Sequence, residues 1–153
     1  MIVGIELSKY QYRFMKLKTV VIFGVFDDVH EGHRDFIRQA KKQGDKLVAI
    51  VARDETVKRL KNKIPIYDEN KRLSMISEVE NIDLAFLGDR EQGVYHVLKG
   101  INPGVIFLGY DQMDLYNDII WKIDIGFLPP IELIFGKSYK PHLFHSSILK
   151  KIK

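Results

Sequence analysis

His30 and His33 stand three residues apart, directly after Gly24-Val25-Phe26-Asp27-Asp28 and the apolar run Val20-Val21-Ile22-Phe23. That order describes a buried strand that ends in a glycine turn and delivers two imidazoles to the start of a helix. The first amides of a helix lack intrahelical acceptors and carry partial positive charge, so a helix start holds phosphate. Two imidazoles placed there can neutralise charge that grows on a phosphoryl group. The chemistry outlined is nucleotidyl transfer. The same spacing also fits surface or helix-capping histidines, or two ligands of a metal, although no third ligand clusters nearby.

Other residues around the pair have two readings each. Gly24 lets backbone approach a phosphate, or only makes a tight turn. Asp27 is expected to orient the loop by accepting hydrogen bonds from backbone amides rather than to move protons. Lys58, Arg59, Lys61 and Lys63 form a charge run that either meets an anion or is bathed by solvent.

The elements that must position these groups alternate along the chain. Lys18–Phe23 reads as a first strand, and His33–Gln43 as a helix closed by Gly44. Leu47–Ala52 is a nearly continuous apolar run, as in a parallel strand covered on both faces. Asp54 caps a helix to about Leu60, and Asp68 or Asn70 starts another with Leu73, Ile76 and Val79 inward. Leu84–Leu87, Gly104–Leu108 and Ile131–Phe135 read as strands three to five. Between them lie helices at Gln92–Lys99 and Asp114–Ile125, the second with Leu115, Ile119 and Trp121 inward. A last helix starts near Ser146, where serine normally caps free amides.

This alternation predicts an α/β, Rossmann-like doubly wound fold with a roughly five-stranded parallel sheet and right-handed crossovers. Ligands of such sheets gather beyond the carboxyl ends of the strands. His30, His33, Arg53, Tyr110 and Asp111 all follow strands and so come to one edge. Residues 1–14 read as an N-terminal appendage, poorly ordered or upstream of the true start, and residues 15–153 as one domain.

Composition narrows the class. With 46% hydrophobic and 29% charged residues the chain is an ordinary globule. The absence of Cys excludes disulfides, thiolate metal clusters and a cysteine nucleophile. No apolar run approaches a bilayer span and no signal peptide is visible, so a cytoplasmic protein without membrane contact is expected. The net charge of +4 suits anionic ligands. Lys and Arg are scattered without a basic stripe, and no nucleic-acid partner is expected.

Gly24-Val25-Phe26-Asp27 with His30-Glu31-Gly32-His33 resembles the signature of the cytidylyltransferase-like nucleotidyltransferases, usually Gly-Thr-Phe-Asp with His-x-Gly-His. The resemblance runs from Lys18 to the C-terminus, through Lys46–Arg72 and Gly109-Tyr110-Asp111-Gln112, and ends in His145-Ser146-Ser147. Within that superfamily, Ile50–Val57, Leu60-Lys61, Pro65-Ile66 and Leu108–Gln112 are similar to archaeal FAD synthases, which adenylylate FMN.

The resemblance implies an enzyme that transfers AMP from ATP, with Mg²⁺ or another divalent cation, to a phosphorylated acceptor, FMN first, giving FAD and pyrophosphate. It implies catalytic roles for His30, His33, Lys61 and Arg72, the last two as a cationic pair on or near a mobile loop over the β- and γ-phosphates. Nucleotide contacts would come from Gly24, Val25, Phe26, His30, His33, Tyr110, Asp111, Gln112, Ser146 and Ser147. His142 and His145 would touch the acceptor phosphate or pack at the surface. A homodimer follows by analogy. Two departures stand out: Val25 lacks the usual hydroxyl, and the C-terminal cysteines of archaeal FAD synthases are missing. The alternatives are cytidylyl or adenylyl transfer to glycerol phosphate or a sugar (heptose) phosphate, and a nucleotide-binding regulatory module without turnover.

Overall fold

The computed structural model describes residues 17–138. In chain order the elements are β1 (Thr19–Gly24), α1 (Glu31–Lys41), β2 (Lys46–Val51), α2 (Asp54–Lys61), α3 (Glu69–Ser77), β3 (Leu84–Leu87), α4 (His96–Ile101), β4 (Val105–Leu108), α5 (Met113–Asp124) and β5 (Glu132–Phe135). The five strands form one sheet in the order β3-β2-β1-β4-β5. Every pairing is parallel. The expected α/β sheet is therefore present. The chain steps outward one way from β1 through β2 to β3, then crosses to β4 on the other side. The strand order reverses between β1 and β4, and a crevice opens there.

Alternation along the strands divides the core into two layers. Val20, Ile22, Leu47, Ala49 and Val51 pack with Ile37 and Ala40 of α1 and Ile76 of α3. Val21, Val48, Ile50, Ile106 and Leu108 pack with Leu98 of α4 and Ile119 of α5. Covering both faces explains why β1, β2 and β4 read as continuous apolar runs. No helix among the described residues is long and apolar enough to cross a membrane.

Two boundaries and one side-chain orientation differ from expectation for physical reasons. The first helix begins at Glu31, two residues early, because His30 caps it. The fourth helix begins at His96, not Gln92, because Gly93 (φ +85°) and Tyr95 (φ +52°) take left-handed backbone. Trp121 is 55% exposed. It lies two residues from buried Ile119, about 200° around the helix, so the two cannot share a face. The helix expected near Ser146 and the appendage at 1–14 lie outside the described residues.

Candidate active site

The turn after β1 is built around Phe26. Its backbone is left-handed (φ +53°), a conformation that costs a non-glycine residue about 1–2 kcal/mol. Burial of the ring, which is 4% exposed, offsets that cost. The ring lies over Gly24: a methyl group there would sit 2.7 Å from Phe26 Cζ. Gly24 therefore makes room for Phe26, a tighter requirement than close approach to phosphate. The same ring meets His33 edge-on, with centroids 6.4 Å apart.

The two histidines form a reciprocal cap on α1. The Gly32 N–H donates to His30 Nδ1 at 3.0 Å, and the His30 N–H donates to His33 Nδ1 at 3.3 Å. Imidazoles thus take the places usually held by Ser or Thr at the N-cap and by Glu or Gln three residues on. The capping and chemical readings of the pair hold together. With each Nδ1 accepting from backbone, Nε2 carries the proton of each neutral ring and is the nitrogen left to donate. The rings lie 4.0 Å apart between centroids. Burial holds His33 below the ordinary histidine pKa, and nearby His30 pushes the same way. The carboxylates of Asp28 and Asp111 and a backbone hydrogen bond at Asp28 act against this.

A cleft of about 730 Å³ opens beyond the carboxyl ends of β1 and β4, a volume within the usual range for a small-molecule site. Gly24, Val25, Phe26, His30, His33, Lys61, Tyr110, Asp111 and Gln112 all line it. Sequence spacing of up to 88 residues has closed into one crevice because those residues follow β1, β2 and β4. Gln112 does more than line it. Its Oε1 accepts from the Gly109 amide at 2.9 Å, and its Nε2 donates to the Phe23 carbonyl at 2.9 Å. The side chain braces the loop after β4 against the end of β1.

Arg72 is placed differently from expectation. It is fully buried beneath the cleft rather than over it. Its Nη1 donates to the carbonyls of Val25 (2.9 Å) and Ala52 (2.7 Å), Nε to Tyr67 O (3.0 Å), and Nη2 to Asp54 Oδ1 (2.6 Å). Those acceptors come from the turns after β1 and β2 and from the N-termini of α2 and α3. A guanidinium so engaged braces the histidine loop from within. Arg53, which follows β2, is also drawn into structure, bonding Gly88 O and Glu69.

Three more residues shape the cleft; Asp27 meets backbone amides as expected, and Gln39 was not singled out by the residue pattern. Lys63 lines the cleft beside Lys61. Asp27 accepts from the Ile66 and Tyr67 amides at 2.7 and 2.9 Å, fixing the segment that follows the two lysines. Burial raises the Asp27 pKa, but those two amides and the charges of Arg72 and Lys63 outweigh it and hold the carboxyl below its ordinary value. Gln39 of α1 bonds both the carbonyl and the amide of Lys137, pinning the strip after β5 to the cleft edge. Alternating charge in a helix gives no signal for such a brace. Ser146, Ser147, His142 and His145 lie outside the described residues.

A family model described as cytidylyltransferase-like matches residues 21–136. The FAD synthase of Thermoplasma acidophilum is 41% identical over 133 residues, covering 86% of this chain and 91% of that protein. The FAD synthase of Thermoplasma volcanium is 46% identical over the same shares. Among solved structures, one described as the lipopolysaccharide core biosynthesis protein from Thermoplasma volcanium superposes with a TM-score of 0.73 at 37% identity, covering 81% of this chain and 99% of that one. A pantoate-beta-alanine ligase from Francisella tularensis shares the fold, with a TM-score of 0.55 at 15% identity over 88% of this chain and 62% of its own.

Proposed function

The chain belongs to the cytidylyltransferase-like family, and from that premise we propose that it transfers AMP from ATP to FMN, releasing FAD and pyrophosphate. It is a nucleotidyltransferase. The choice of acceptor and nucleotide rests on one observation, the identity of 41–46% to FAD synthases across 91% of their length.

The residues have separable tasks in such a transfer. A phosphate oxygen of the acceptor attacks the α-phosphorus, the bond to the bridging oxygen breaks, and pyrophosphate leaves. Nε2–H of His33 and of His30 donate to the α-phosphate and its bridging oxygen, where negative charge grows. Lys61 neutralises the β- and γ-phosphates, joined by Ser146 and Ser147. Tyr110 and Asp111 meet base and ribose at the other end, and His142 and His145 meet the acceptor phosphate. Arg72 acts indirectly, by holding the Val25 carbonyl and with it the amides of the histidine loop.

Mg²⁺ suits the donor set. No cluster of three His, Asp or Glu among the described residues could cage a metal. Magnesium needs only one or two carboxylates when a triphosphate and water supply the rest. Asp28 lines the cleft and would hold it, since Asp27 is committed to two amides and Asp111 serves the ribose. When bound, the ion screens the triphosphate oxygens.

The test is a panel. ATP or CTP is offered with FMN, glycerol 3-phosphate or a heptose phosphate, and pyrophosphate release is measured together with the nucleotidyl product. FAD formation from ATP and FMN is expected. Turnover only with CTP, or only with a sugar or glycerol phosphate, overturns the assignment.

A further inference from the structure

One wall of the cleft has no task in the phosphate chemistry. Pro65 and Ile66 line it, and Ile66 is 78% exposed. This is an apolar side chain standing open in the crevice, left largely uncovered by the described residues. Its backbone is not left to chance. The Ile66 amide and the one after it are both held by the two carboxylate oxygens of Asp27, on the histidine loop itself. Lys61 and Lys63 line the cleft from the same segment.

An apolar wall beside the Lys63 ammonium group matches a ligand with a flat apolar body and an anionic end. The opposite end of the cleft, at Gly109–Gln112 and Gly136–Ser138, is rich in backbone polar groups and suits a base with its ribose. Building on the reading of FMN as acceptor, we propose that Ile66, with Pro65, is the surface on which the flavin ring packs. That wall selects a flavin phosphate over glycerol or sugar phosphates, whose hydroxyls gain nothing from apolar contact. Asp27 is its positioning residue.

The experiment compares Ile66→Ala and Ile66→Leu with Leu60→Ala. Leu60 is 57% exposed in α2, just before the cleft segment, and does not line the cleft. FMN binding is read from quenching of flavin fluorescence, and KM for FMN and for ATP from FAD formation. Ile66→Ala is expected to weaken FMN binding and raise its KM about five- to tenfold, with the KM for ATP moving less than about twofold. Ile66→Leu restores binding, and Leu60→Ala moves neither constant. Unchanged FMN binding in Ile66→Ala, or a change confined to ATP, overturns the inference while FAD formation stands. FMN binding that depends on Ile66 without FAD formation upholds the inference and overturns the transfer. A wild-type chain that does not bind FMN overturns the inference whatever else it turns over.

Discussion

Arg72 Nη1 donates to the Val25 carbonyl oxygen at 2.9 Å, bridging 47 residues of sequence. The bond ties the first turn of α3 to the loop that presents both histidines. The same guanidinium serves Ala52, Tyr67 and Asp54, and one side chain therefore organises four segments beneath the cleft.

Replacing Arg72 by Ala or Lys should thus act first on stability. Removal strands three backbone carbonyls and one carboxylate, at a cost of at least about 3 kcal/mol. Thermal denaturation should show the midpoint falling by roughly 10 °C. A midpoint unchanged within about 2 °C, with turnover lost, would instead return Arg72 to the phosphates.

His33 separates the cap from the chemistry. Gln at the same place in a helix can reach back to the N-cap amide, but it has no imidazole. His33→Gln is expected to melt close to the parent and to lose turnover about a hundredfold or more, since a lost donor to a developing charge costs about 10²–10³ in kcat. His33→Ala should lose the cap as well, at about 1 kcal/mol. Near-normal kcat in His33→Gln would remove the ring from catalysis.

The depressed pKa of His33 gives stability a direction in pH. Burial disfavours the charged ring most, with His30 adding to it. The unfolded chain takes its proton first as pH falls. The contribution is therefore present above the ordinary value of 6.5 and is lost as pH falls through the lower folded value. His33→Gln should flatten that dependence in urea melts. Bound triphosphate reverses the preference by stabilising imidazolium. Calorimetry of ATP binding near pH 6.5, in buffers of different ionisation enthalpy, should reveal proton uptake that His33→Gln abolishes. An enthalpy independent of buffer would mean that the ring stays neutral when the triphosphate binds and meets it only through Nε2–H.

Asp27→Ala frees the amides of Ile66 and Tyr67. The chain should then be cut faster by trypsin after Lys61 and Lys63, and KM for both substrates should rise more than kcat falls. Equal cleavage rates in variant and parent would show that the segment holds its place without the carboxylate.

The parts of this molecule that one stretch of chain determines were legible in its sequence. β2 and β4 lie within a residue or so of expectation because burial on both faces writes itself as an unbroken apolar run, and Leu84–Leu87, at the sheet edge, is a strand at the expected residues. His30 and His33 reach the cleft as expected. The long-range braces were not legible. Arg72, Gln39 and Gln112 look like ordinary polar residues of helix ends, and their acceptors are carbonyls 20, 98 and 89 residues away. Backbone carbonyls carry no residue identity, so no pattern of side chains can announce them. Phe26 hid for a related reason: its left-handed backbone is imposed by where its ring is buried.

The ring of Phe26 resting on the α-carbon of Gly24 makes these two positions a single unit of inheritance. A side chain at 24 meets Phe26 ring carbons at 2.7 to 3.0 Å, so it can be gained only after residue 26 has shrunk. Shrinking residue 26 first uncovers the edge of His33 and opens a void beneath it. Both single steps are losses even if the double change is tolerable. Random mutagenesis of the loop should accordingly recover substitutions at 24 only together with substitutions at 26, and a lineage drifting through this family's sequences would have to cross that gap in one stride.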